Sequence, residues 1–163
     1  MTLRHAALAA LLAFLAACGP PPPTGGTEVY RISARDARQI PERAAEAVNA
    51  QRATRGAPPL QFSPQLTAAA QSHARDMAAQ NRPWHFGSDG SSPIDRVARA
   101  GYPGQFLGEN ISETFETEGE TIAAWMQDAA TRDVILDPRA RDMGFSWYQE
   151  PNGKIWWTLV TGS

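Results

Sequence analysis

The chain offers few side chains able to do chemistry. It has one cysteine, Cys18, and three histidines, His5, His73 and His85. His85 stands in Trp84-His85-Phe86-Gly87-Ser88-Asp89-Gly90, a polar, glycine-containing stretch of the kind that displays functional groups on loops. An imidazole there could act as a general base near neutral pH. A base needs a nucleophile, and the sequence has no Gly-x-Ser-x-Gly elbow and no cysteine after Cys18. Ser88, Ser91 and Ser92 are close by, but Ser92 precedes Pro93 and reads as a helix cap. His73 falls on the apolar series Leu66, Ala70, His73, Met77, where a lone histidine is expected to be a hydrogen-bonded core residue.

Cys18 carries a different chemistry. A short basic start with Arg4 and His5 is followed by an apolar run from Ala6 to Ala17. That run is shorter than the roughly 20 residues of a spanning helix and fits a secretory leader. It closes in Leu15-Ala16-Ala17-Cys18, small residues before a cysteine, which matches a bacterial lipobox. The thiol is then expected to accept diacylglycerol and become the new N-terminus, and several acyl chains anchor stably where one is marginal. Gly19 to Gly26 contains four prolines and three glycines, an extended spacer with a flexible end. The expected division is a leader over 1–17, a lipidated cysteine and tether over 18–35, and a folded domain over 36–163. Gly19 is not aspartate, which by resemblance to Gram-negative lipoproteins implies outer-membrane sorting in such a source.

The elements that must position His85 can be read from period and punctuation. At 163 residues, 42% hydrophobic and 20% charged, the chain has the balance of one globular domain. Its net charge of −2 gives no surplus of Lys and Arg, so nucleic acid is not an expected partner. Pro41 suits the first turn of a helix running to about Arg55, with Gly56 as its stop. Ser63-Pro64 starts a second helix, to about Asn81, and Ser92-Pro93 a third, ending before Gly101. A fourth is expected from about Glu118 to Ala130, with Ile122, Trp125, Met126 and Ala129 on one side. Met143, Phe145 and Trp147 then alternate, Pro151-Asn152-Gly153 is turn chemistry, and Lys154 to Thr161 is aromatic and β-branched, which reads as a hairpin. Gly108 to Thr114 supplies a further strand. Helices first and strands last imply an α+β domain with helices packed around a small antiparallel sheet. Trp156 and Trp157 must point to opposite faces, so one is core and the other is either an exposed contact or lies under a second layer of helices.

In this order the motifs resemble the bacterial branch of the CAP superfamily, the cysteine-rich secretory, antigen 5 and pathogenesis-related proteins. The matching residues are Val48-Asn49-Ala50-Gln51-Arg52 with Gly56 and Leu60, Ala69 to Met77, and His85 to Ser91. They continue with Arg96 and Ala100-Gly101-Tyr102, Gly108-Glu109-Asn110-Ile111, Trp125-Met126, Arg132 to Pro138, and Gly144. The resemblance implies an α-β-α sandwich and a cavity with two histidines and two acids. His85 matches the first histidine and Glu109 the first acid. Asp128 is the nearest candidate for the second acid, and Thr131 stands where relatives carry the second histidine. With one imidazole left, no metal or other cofactor is expected, beyond a weak divalent cation on oxygen ligands.

Function follows as an expectation. A tethered extracytoplasmic domain with a histidine and a carboxylate but no nucleophile reads first as a non-catalytic binding module for a lipid or envelope ligand. The alternatives are a hydrolase of envelope peptides or peptidoglycan with His85 as base and Glu109 as its partner, and a structural envelope protein working through its surface.

Overall fold

A computed structural model describes residues 29–163. Cys18, the leader and the proline run lie outside the described residues.

The first helix, α1 (Ala34–Ala53), begins earlier than Pro41 suggested. The Ser33 hydroxyl accepts from the Asp36 amide at 3.1 Å and sets the start. Pro41 lies inside the helix, where it has no N–H to give the preceding turn. Burial of Ile40, Ala44, Val48 and Arg52 at helical spacing outweighs that loss. A two-residue strand, β1 (Gln61–Phe62), has no counterpart in the sequence reading. Next comes α2 (Pro64–Gln80), capped by Ser63 and ended by Asn81 in the left-handed conformation. α3 (Pro93–Arg99) starts in a full capping box of Ser92 and Asp95. After β2 (Phe106–Ser112) the expected fourth helix divides into α4 (Glu118–Trp125) and α5 (Ala129–Leu136). The break falls at Asp128, whose carboxylate caps α5 instead of continuing α4. A hairpin of β3 (Asp142–Gln149) and β4 (Ile155–Gly162) closes the chain.

The sheet order is β1-β3-β4-β2. β4 pairs antiparallel with both neighbours, and β1 is parallel to β3 at Gln61↔Asp142 and Phe62↔Met143. Every residue of β4 is buried. Its Trp156 and Val160 pack with α2 and α3 through Met77, Leu66 and Val97. Ile155, Trp157 and Leu159 pack on the other face with Ile40, Val48, Ile122 and Ile135 of α1, α4 and α5. The result is an α-β-α sandwich in a mixed α+β domain. Both tryptophans of the adjacent pair are fully buried, because helices cover both faces. α2 lies so close to the sheet that a Cβ on Gly144 would stand 2.1 Å from the Leu66 carbonyl carbon.

The stretch expected as the end of the tether touches the domain from Tyr30 on. Gln149 donates to the Tyr30 carbonyl at 2.9 Å and accepts from the Ile32 amide at 3.0 Å, and Arg31 donates to the Glu150 carbonyl at 2.9 Å. No helix among the described residues is long and apolar enough to cross a membrane.

Candidate functional site

Side chains alternate along β2, so Glu109 points to the α2–α3 side and Asn110 to the α5 side. The Glu109 side chain is 2% exposed. A carboxylate so buried requires partners, and it has them. Arg96 Nη2, from α3, donates to Oε1 at 3.0 Å and to Oε2 at 2.8 Å. His85 Nδ1 donates to Oε1 at 2.9 Å. His73 of α2 stands behind, with Nε2 3.7 Å from Oε1.

The two histidines play different parts. His73 is fully buried, and its Nε2–H donates to the Trp84 carbonyl at 2.9 Å, which holds the loop onto α2. Its Nδ1 is buried without a partner among the described residues. Burial drives the His73 pKa below its ordinary value, against the opposing pull of Glu109. His85 is half exposed at 51%. With Nδ1 turned toward Glu109, Nε2 is the ring nitrogen left for another partner. Exposed Phe86 is its chain neighbour.

The loop that carries His85 is pinned from three sides. Ser88 donates through its amide and its hydroxyl to Asp76, at 2.7 and 2.6 Å. Gln80 accepts from the Trp84 indole and donates to the Phe86 carbonyl. Arg96 Nη1 reaches the Ser91 carbonyl at 3.2 Å. Asp76, His73 and Gln80 are spaced so that one face of α2 does this work. Gly87 has no room for a Cβ, which would meet Ser91 Oγ at 2.6 Å.

Of the four residues expected in a cavity, the structure joins two, His85 and Glu109. Asp128 is the α5 cap, accepting from the amides of Ala130 and Thr131. Thr131 donates its hydroxyl to the Trp125 carbonyl at 2.6 Å, and its own carbonyl accepts from Asn110 at 2.8 Å. Asn110 and Glu109 are successive on a strand, so this places the Thr131 carbonyl across the sheet from Glu109. Arg96 and His73 complete the cluster instead. The sequence marked both, Arg96 only as part of a motif and His73 only as core.

The donor set does not suit a cation. Both Glu109 oxygens face a guanidinium, and a divalent ion would have to sit against that fixed positive charge. Among the described residues there is no group of three or more His, Cys, Asp or Glu arranged to hold a metal. Nor does any hydroxyl or thiol among the described residues hydrogen-bond to His85, since its one side-chain partner is Glu109.

A separate concavity of about 500 Å³ opens between α1, β1 and α2. Pro41, Phe62, Pro64, Ala68 and Phe145 form most of its wall, with Thr67 and Gln71 as its polar members. Phe62 is 40% exposed there.

Comparison with known proteins places this architecture. The model of the cysteine-rich secretory protein (CAP) family matches residues 45–161. The uncharacterized protein YkwD of Bacillus subtilis is 32% identical over 111 residues, covering 68% of this chain and 42% of that protein. The chain thus spans less than half the length of that relative. An outer surface protein of Borrelia burgdorferi has the same fold with a TM-score of 0.70 at 13% identity, over 78% of this chain and 95% of that one. An extracellular SCP-domain protein of Bacillus anthracis gives 0.66 at 20% identity, over 82% of this chain and 45% of that one.

Proposed function

We propose, from the premise that this chain belongs to the cysteine-rich secretory protein (CAP) family, that it is a non-catalytic binding module held outside the cytoplasm by lipidated Cys18. Its ligand is lipid or another apolar component of the envelope. The observation that carries this reading is the groove of about 500 Å³ walled by Pro41, Phe62, Pro64 and Phe145. A concavity of this size and polarity suits an acyl chain or a ligand of similar bulk. An outer surface protein and an extracellular protein among the structural relatives support the location without fixing the ligand.

Binding of a fluorescent fatty acid to the chain lacking its first 18 residues tests the reading. That form retains every residue of the described core. Saturable binding is expected, weakened about tenfold or more by Phe62→Asp, which removes an apolar wall and adds a charge. Ile94→Asp, at an apolar residue 61% exposed away from the groove, is the control and should change nothing. Absence of saturable binding, or equal weakening by both variants, ends the proposal.

One geometric fact favours a second reading. The His85–Glu109 pair at 2.9 Å has the form of a carboxylate-oriented general base with its other ring nitrogen left for a partner. Hydrolysis of envelope peptides would then use water as nucleophile. His85→Ala should abolish turnover without unfolding the domain, and activity that survives the change removes this reading.

A further inference from the structure

A second cleft, of about 220 Å³, lies between α2, α3 and the loop after His85. Its charged walls are Arg96 and Arg99 of α3 facing Asp76 of α2 and Asp89 of the loop, with Ser72 and Ser88 among its hydroxyls. An adjoining cleft of about 240 Å³ shares Ser72, Arg96 and Arg99 and is otherwise lined by Ala68, Ala69 and Ala100. One end of the combined slot is therefore doubly charged in both signs, and the other is small and apolar.

The charges in it retain capacity for a ligand. Arg99 meets Asp89 at 2.8 Å, but the two side chains are 60% and 53% exposed, and such a pair exchanges easily with another partner. Asp76 Oδ1 accepts from the Ser88 hydroxyl at 2.6 Å and keeps a further lone pair. Arg96 borders the cleft with its guanidinium engaged by Glu109 and the Ser91 carbonyl. Hydrogen bonds from Ser91 and Arg99 hold the Asp89 carboxyl far below the usual carboxylate range, so it stays ionised. Arg96 is already matched by Glu109, so the charges left to a ligand are Arg99, Asp76 and Asp89: a plain anion meets two carboxylates, and a plain cation meets Arg99. A molecule carrying both signs satisfies all three.

We infer that this cleft binds a small zwitterion with a short aliphatic side chain, an α-amino acid or a short peptide with free ammonium and carboxylate ends. The carboxylate takes the place of Asp89 at Arg99, the ammonium pairs with Asp76 and the released Asp89, and the alkyl group enters the alanine-lined end. The inference goes beyond the apolar-ligand reading and does not depend on it, although Ala68 borders both concavities.

The test is an amide NMR titration of the chain lacking its first 18 residues with alanyl-alanine, N-acetyl-alanine and alanine amide. Alanyl-alanine is expected to give saturable shifts at Ser88 to Ser91 and at Arg99, with a dissociation constant of about a millimolar or tighter. Each singly charged analogue should bind at least about tenfold more weakly, and Arg99→Gln should weaken the dipeptide by about the same factor. The exposed position of Arg99 leaves the fold intact in that variant, which the unperturbed spectrum checks. Shifts that do not saturate, N-acetyl-alanine or alanine amide binding as well as the dipeptide, or an unchanged Arg99→Gln titration each overturn the inference.

Discussion

Glu109 is held by one partner that neutralises it and another that it orients. The guanidinium of Arg96 is nearly as buried as the carboxylate, so the pair is interior, whereas His85 reaches it from the solvent side. Removing one member of a buried pair leaves the other charged and unmatched. Glu109→Gln is therefore expected to cost about 3 kcal/mol, read as a lowered urea midpoint, while His85→Ala costs less than about 1 kcal/mol. Asp128→Ala should lose about 1 kcal/mol through the missing α5 cap and leave ligand binding unchanged. His73 gives a pH dependence. Its folded pKa is depressed and its unfolded pKa is ordinary, so below about pH 6.5 the unfolded chain takes up a proton that the folded chain refuses. Stability is expected to be flat above that point and to fall from there toward the lower folded value. Urea midpoints at about pH 7.5 and pH 5 should differ in the native protein and converge in His73→Gln, which keeps a donor for the Trp84 carbonyl. A slope that is unchanged in His73→Gln would assign the effect to another group.

At the scale of elements, the position of α2 decides the site. The helix supplies His73, Asp76 and Gln80 to the loop, and it does so from direct backbone contact with β3 at Gly144. A methyl group there collides with the Leu66 carbonyl group, which is backbone and has nowhere to go. Gly144→Ala should destabilise by about 3 kcal/mol or more, or prevent folding. Gly56→Ala makes the comparison: φ is +66° with nothing within 4 Å, so only the left-handed conformation is penalised, by about 1 kcal/mol. Thermal unfolding of the two variants should separate them clearly. If both lose the same small amount, α2 can retreat from the sheet and the loop geometry is softer than the contact implies.

The described residues form a sheet enclosed between two helical layers, and the sequence places a cysteine at position 18, ahead of them. On the proposed reading, folding and anchoring are separable. Loss of the first 18 residues should leave the melting temperature unchanged. Cys18→Ser in the full chain should move the protein from the membrane fraction to the soluble fraction after cell lysis. A variant that stays with the membrane would mean that some other segment, or an uncleaved leader, holds it there.

The layered fold was legible in the sequence because it rests on local signals. Ser63-Pro64 and Ser92-Pro93 announce two helix starts, and the alternation through Met143, Phe145 and Trp147 announces a strand. Pairing of His85 with Glu109 was reached only through family resemblance, since 24 residues separate them. Tertiary structure alone decided the rest. Arg96 and His73 became partners of Glu109 because α2 and α3 share one face of β2, and no period in either helix encodes that face. Asp128 and Thr131 are engaged elsewhere, the first as the α5 cap and the second through its hydroxyl at the Trp125 carbonyl. A strand turns successive side chains to opposite sides, so Asn110, one step from Glu109, meets the Thr131 carbonyl from the other face of β2.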